Sequence, residues 1–218
     1  MRRISLRNGN GIPFVSFFAE SAITVRTCSS CHYSNKSIPV KDKIGVNSSN
    51  LDDAVTLFHQ MVTMKPLPSI AHFSKLFKTM IKMKHYSAAI SLFRQMLKLG
   101  IPICDFILTI MINSYRLIHR VDCAFSVLPI YLKNGIPFDV VAFNTLLRGL
   151  FSENKVKDAV ELFKKLVRDK ICNPEPTIYI YNVVIDALCK DGNLDAAINI
   201  LNEMKQKNIH PDILTYNS

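Results

Sequence analysis

The sequence predicts an all-α fold, an α-α superhelix (solenoid) of stacked helical hairpins about 35 residues long. Three observations lead there. First, Ala54, Ala89, Ala124 and Ala159 recur every 35 residues, and Ala197 follows after 38. Second, each alanine lies in the same apolar frame, and a second periodic segment precedes it. Third, glycine, asparagine and proline punctuate the chain at matching places.

The frame around the alanines describes one face of a helix. An apolar residue stands three positions before (Leu51, Tyr86, Val121, Val156, Leu194). An apolar pair stands three and four positions after (Leu57-Phe58, Leu92-Phe93, Val127-Leu128, Leu162-Phe163, Ile200-Leu201). These offsets match the 3.6-residue period, and a central alanine lets a second helix approach closely. This is helix B of each unit. Upstream, Phe73, Leu76, Phe77 and Met80 set out a helix A. The pattern returns at Leu108, Met111, Ile112 and Tyr115, at Phe143, Leu146, Leu147 and Leu150, and at Tyr181, Val184, Ile185 and Leu188. Asn154 and Gly192 fall in the A-to-B turns, where a left-handed residue is cheapest. Gly100, Gly135 and Asn208 end helix B as C-terminal caps, with Lys170 the exception. Pro102, Pro137 and Pro211 forbid continuation.

The units run over residues 70–104, 105–139, 140–177 and 178–212. A degenerate unit at 46–69 precedes them, with a helix B from about Leu51 to Met64, and a further unit starts at 213–218. One hairpin cannot bury both of its faces, whereas a stack of three or more can.

The stretch from Tyr181 to Ala197, which includes Asp191-Gly192-Asn193-Leu194-Asp195-Ala196, resembles the first half of a pentatricopeptide repeat. So does Val140 to Leu150. Asn208-Ile209-His210-Pro211-Asp212 resembles that family's unit ending. The resemblance runs in register from about Leu51 to Ser218. The Met64-Lys65-Pro66-Leu67-Pro68-Ser69 entry is similar to plant restorer-of-fertility-like members of the pure 35-residue subclass. A tetratricopeptide reading fits less well: its period is 34 and its pattern wants Trp, of which this chain has none.

The resemblance implies sequence-selective binding of single-stranded RNA, about one base per unit. Two positions set the base, the fifth residue of helix A and the last residue of the unit. Carried onto this chain, the pairs are Ser74 with Cys104, Thr109 with Asp139, Asn144 with either Glu175 or Thr177, and Asn182 with Asp212; Asn217 would open another. Thr with Asp implies G, Asn with Asp implies U, and Asn144 suggests a pyrimidine. Ser with Cys matches no familiar combination. The second residue of each unit sandwiches the base: Ala71, Phe106, Val141, Tyr179 and Leu214, of which Phe106 and Tyr179 offer stacking surfaces. Lys82 and Lys190 stand where the family often contacts phosphate. Any one of these residues alone would ordinarily be a solvated or packing position; recurrence at one register raises the reading above that.

The formal net charge is +10. Residues 1–45 hold seven Lys/Arg against Glu20 and Asp42, so half of the excess lies there. The remainder suits RNA without demanding it, since a solvated basic face explains it equally. Residues 1–45 do not share the repeat. They are basic, Ser-rich and acid-poor, the composition of an organelle transit peptide, with mitochondria first and plastids second. A secretory signal over Ile12–Ala19 ranks lower because the run is short, contains Pro13 and meets Glu20. Cys28-Ser29-Ser30-Cys31-His32 spells a haem c attachment signature, but attachment also needs an apolar pocket and an axial ligand. No segment approaches the ~18 apolar residues of a membrane span.

No catalytic constellation, metal-ligand spacing or cofactor motif stands out, so the expectation is a binding module, not an enzyme, without cofactor. It would control processing, stability or translation of an organellar transcript, with any cleavage supplied by a recruited nuclease or other protein. Two alternatives stay open: a helical-repeat scaffold that binds a protein, and a truncated, non-functional restorer-like copy.

Overall fold

A computed structural model describes residues 50–169 and 177–217. The reading of residues 1–45 as a transit peptide, the Cys28–His32 motif, Lys170 and most of the insertion before Thr177 lie outside the described residues. Every element among those described is helical. In chain order they are α1 (Leu51–Thr63), α2 (Ile70–Lys82), α3 (Tyr86–Lys98), α4 (Asp105–Leu117) and α5 (Val121–Ala124). A 3₁₀ turn (Phe125–Val127) then leads to α6 (Leu128–Lys133). There follow α7 (Val140–Ser152), α8 (Val156–Asp169), α9 (Ile178–Lys190), α10 (Leu194–Gln206) and α11 (Ile213–Tyr216).

The helices A are α2, α4, α7 and α9, and each begins at the first residue of its unit. Successive A helices lie against one another, α4 between α2 and α7, and α9 between α7 and α11. The B helices α3, α5 and α8 each pack on the A helix of their own unit and on that of the next, while α1 packs on α2 and α10 on α9. The core runs continuously between these layers. Ala54, Ala89, Ala124, Ala159 and Ala197 are all buried in it, as are Phe73, Phe77, Leu108, Phe143, Phe163 and Tyr181. The alanine period thus marks where a B helix meets its neighbours closely.

Seven turns close the same way. After helix A, the amides of His85, Arg120, Lys155 and Asn193 reach back to the carbonyls of Met80, Tyr115, Leu150 and Leu188. After helix B, Ile101, Ile136 and Ile209 reach Met96, Tyr131 and Met204. The residue before each of these has positive φ: Lys84, His119, Asn154 and Gly192 in one set, Gly100, Gly135 and Asn208 in the other. This is the Schellman closure, in which a left-handed residue lets two orphan carbonyls be satisfied. Lys84 and His119 adopt it without being glycine or asparagine, so composition alone did not mark them.

The second unit departs from expectation. Its helix B is broken into α5, the 3₁₀ turn and α6 instead of running continuously. Pro129 is the reason: it has no N–H to give the Phe125 carbonyl, and Leu128 closes on that carbonyl in the tighter pattern. The apolar frame survives, with Val121, Ala124, Val127, Leu128 and Tyr131 all buried.

Between the second and third units, Gly149 allows close approach. A Cβ there would sit 3.0 Å from Val121 Cγ2 and 3.3 Å from Arg116 Cγ. In the next turn Glu153 Oε1 accepts the Val121 amide at 2.7 Å, capping α5 from the neighbouring unit. Lys155 Nζ then bridges Glu153 Oε2 at 2.9 Å and Asp122 Oδ1 at 2.8 Å. Burial pulls the Lys155 ammonium down, but these two carboxylates outweigh it and hold its pKa above the ordinary lysine value.

Candidate functional site

The last residue of each unit has a definite structural place: it is the N-cap of the next helix A. Cys104, Asp139, Thr177 and Asp212 all have extended backbone there, immediately before α4, α7, α9 and α11. Asp139 Oδ1 accepts the Ala142 amide at 2.7 Å, and Asp212 Oδ1 accepts the Thr215 amide at 2.9 Å. Both satisfy an orphan donor of the first turn. Of the two residues left open for the third unit, Thr177 holds the cap position. Glu175 lies outside the described residues.

Two of the fifth residues of helix A face these caps. Ser74 Oγ lies 3.8 Å from Cys104 Sγ. Asn182 Nδ2 donates to Asp212 Oδ1 at 3.0 Å. The Thr215 hydroxyl completes that cluster, 2.7 Å from Asn182 Oδ1 and 2.9 Å from Asp212 Oδ1, while accepting the Asp212 amide at 3.0 Å. The Thr215 amide, its hydroxyl and Asn182 together hold the Asp212 carboxyl below its ordinary pKa. Thr109 Oγ1 lies 3.0 Å from the hydroxyl of Tyr131, a buried residue of α6. The Oδ1 of Asn144 is buried with no hydrogen-bond partner. Asn217 ends α11 as its C-cap and is exposed.

The second residues form an exposed stripe. Phe106 is 47% exposed, Val141 61%, Tyr179 52% and Leu214 67%, and Ala71 continues the row. Apolar side chains so open, one per unit on one layer of helices, contrast with the closed core behind them. At the joint of units two and three, an open groove of about 500 Å³ is lined by Phe106, Thr109, Asp139 and Val141, with Asp105 and Asn113 among its other walls. Four side chains assigned from register alone, from three different places in the repeat, meet on one concavity.

Tyr179 is not only an open ring: its hydroxyl accepts from Arg148 Nη1 at 3.2 Å, which ties α9 to α7. Lys82 is exposed. Lys190 is exposed too but ion-paired with Asp186 at 2.7 Å, a turn earlier on α9. Arg148, Asp186 and Lys190 line a second groove beside Tyr179. Sequence reasoning missed Arg148, Tyr131 and Thr215 as neighbours of the site. For Tyr131 and Thr215 the signal was an aromatic or polar residue where sister units are largely apolar, such as Tyr131 opposite Met96 and Met204; Arg148 stands among polar sister residues and carried none.

Comparison with known proteins identifies the repeat. Residues 73–101 and 134–167 each match a family model described as a PPR repeat, and residues 176–218 match one described as the PPR repeat family. The chain belongs to the pentatricopeptide repeat family. Two Arabidopsis thaliana proteins whose names describe them as mitochondrial pentatricopeptide repeat-containing proteins are similar to it. One is 34% identical over 131 residues, 59% of this chain and 22% of its own length; the other is 40% identical over 103 residues, 47% and 15%. The match thus spans about a fifth or less of the length of these two curated relatives. Among solved structures, the maize pentatricopeptide repeat protein PPR10 superposes with a TM-score of 0.65 at 22% identity, covering 77% of this chain and 24% of the maize protein. PPR10 in complex with an 18-nucleotide psaJ RNA element gives 0.62 at 21% identity, covering 76% and 24%. These two share the pentatricopeptide repeat fold with the chain.

Proposed function

We propose that this pentatricopeptide repeat array binds single-stranded RNA, one base per unit, and controls processing, stability or translation of a mitochondrial transcript. The groove at the joint of units two and three carries the reading. A base entering it would lie between Phe106 and Val141 while its edge meets Thr109 and Asp139. Stacking on such walls is worth about 1–3 kcal/mol per base whatever the base, and the polar pair adds selectivity. The complex of the maize relative with an RNA element supports the ligand class. The mitochondrial names of the relatives and the basic, acid-poor residues 1–45 support the compartment.

Base reading is assigned to Ser74, Cys104, Thr109, Asp139, Asn144, Thr177, Asn182, Asp212 and Asn217, with Lys82 and Lys190 at the phosphates. Units two to four then prefer G, a pyrimidine and U. The restorer-of-fertility-like subclass is part of the same proposal. The array acts as a scaffold without catalysis of its own; a recruited nuclease would cut.

Selection from a random single-stranded RNA pool with the whole chain tests this. Enrichment of a G–pyrimidine–U order, with affinity falling steeply as salt rises, is the expected result. Binding without base preference would leave only a basic helical surface, and absence of binding by a folded chain would refute the proposal.

A further inference from the structure

In the second unit a buried hydroxyl reaches a residue of the candidate site. Tyr131 occupies the helix B register that Met96 and Met204 fill in units one and four. Its ring is 1% exposed and is held edge-on by Phe138, with centroids 5.3 Å apart at 85°. So held, its hydroxyl meets two oxygens: the Asp105 backbone carbonyl at 3.3 Å, to which it donates, and Thr109 Oγ1 at 3.0 Å.

The two contacts determine where the protons lie. A phenol has one proton to give. The Asp105 carbonyl has none of its own, whereas the Thr109 hydroxyl does. Both hydrogen bonds form together only if Tyr131 donates to the carbonyl and Thr109 donates to Tyr131. The reverse arrangement, Tyr131 donating to Thr109, forfeits the bond to the carbonyl. Burial pushes the Tyr131 phenol well above its ordinary pKa, so it keeps its proton throughout the working range. Thr109 therefore turns only lone pairs toward the groove. Asp139, on the same groove, is a carboxylate and also an acceptor only.

Two acceptors side by side define a ligand edge with two adjacent donors. Of the four Watson–Crick edges, only guanine has this, in N1–H and N2–H₂. Adenine sets its N6 donor beside an N1 acceptor, cytosine its N4 donor beside N3, and uracil a single N3 donor between two carbonyls. We infer that Tyr131 is a specificity-determining residue: it removes the donor capacity of Thr109 and so restricts the second unit to guanine. Tyr131 does not touch the RNA; it acts through Thr109. The inference rests on the RNA-binding reading above.

The test uses the whole chain and four short single-stranded RNAs that differ only in the base placed before a pyrimidine–U step. Affinities are measured for the native chain, Tyr131→Phe and Tyr131→Met; the second variant installs the residue of units one and four. Without the phenol, Thr109 can turn its proton to the adenine N1. The G-over-A affinity ratio is expected to fall about tenfold in both variants, about the size of one lost donor–acceptor match. The U preference at unit four and the helical circular dichroism should stay unchanged. An unchanged G-over-A ratio with binding retained would overturn the role of Tyr131 and leave the RNA reading standing. Loss of preference at every unit would also overturn it, since a merely structural role does that. If the native chain binds none of the four RNAs, the RNA reading falls, and this inference with it.

Discussion

Glu153→Ala should loosen the joint between units two and three. Glu153 is only 13% exposed at its side chain, yet it belongs to one unit and caps a helix of another. Its Oε1 takes the Val121 amide at 2.7 Å, and its Oε2 takes Lys155 Nζ at 2.9 Å. A hydrogen bond to a charged group is worth about 1.5–3 kcal/mol, and the partly buried ion pair adds about 0.5 kcal/mol. Removal of the carboxylate leaves the Val121 amide without its partner, so the loss should be about 2–3 kcal/mol. With a urea slope of about 2 kcal/mol/M, the unfolding midpoint should drop by roughly 1 M. In a stack whose stability is a sum of unit and interface terms, weakening one interface should also broaden the transition. The assay is urea unfolding followed by circular dichroism. Glu153→Gln, which keeps an oxygen to accept the amide, should lose about half as much. A midpoint shift under ~0.2 M for Glu153→Ala would refute the clamp. The sign with pH follows from Lys155, whose folded pKa is raised. The contribution is full below the ordinary lysine value and is lost as the pH rises through the raised one.

Other substitutions probe separate features. Gly149→Val places two methyls where a bare Cβ already meets Val121 Cγ2 at 3.0 Å, and should cost about 2–3 kcal/mol in the same urea assay. His119→Gly and Lys84→Gly, at φ 53° and 63°, should each stabilise by about 0.5–1 kcal/mol; a lower midpoint would show that the side chains outweigh the left-handed backbone. Pro129→Ala should join α5 to α6, with stronger helical dichroism and a gain of about 1 kcal/mol, and unchanged dichroism would refute the proline as cause. Asp212, whose folded pKa is depressed, stabilises the start of α11 above the ordinary carboxylate value, and this is lost as the pH falls through the depressed one. The Thr215 amide resonance should therefore titrate below the usual aspartate range, and a midpoint within or above that range would contradict the capping cluster.

Most of the fold could be read from the sequence because its signal is local and repeated. Buried Ala54, Ala89, Ala124, Ala159 and Ala197 report helix packing at a fixed period, and Gly100, Gly135, Asn154, Gly192 and Asn208 report left-handed turns. What escaped is of two kinds. Lys84 and His119 adopt the left-handed turn because five- and six-residue closures on either side dictate it, against their own preference. Pro129 carried its signal openly, but an intact apolar frame around it concealed the break. At the candidate site, register placed Phe106, Thr109, Asp139 and Val141 together, because identical positions in stacked units are neighbours. The contacts of Tyr131 with Thr109 and of Arg148 with Tyr179 join positions that only the packing of two helices brings together, and no periodicity encodes them.

The residue at the end of each unit has two employers. Asp139 and Asp212 start a helix with one carboxylate oxygen, and on the proposed reading the same side chains also meet a base. Good helix starters are few: Asp, Asn, Ser and Thr lead, and most other side chains forfeit about 1 kcal/mol. The vocabulary of such an array is therefore curtailed by the mechanics of helix nucleation. Under the proposed base reading, exchange among those four letters would change what is read and leave the stack intact, whereas any other letter would detach meaning from stability. Cys104 and Thr177, which make no side-chain cap hydrogen bond, sit at joints where the first of those two obligations has already lapsed.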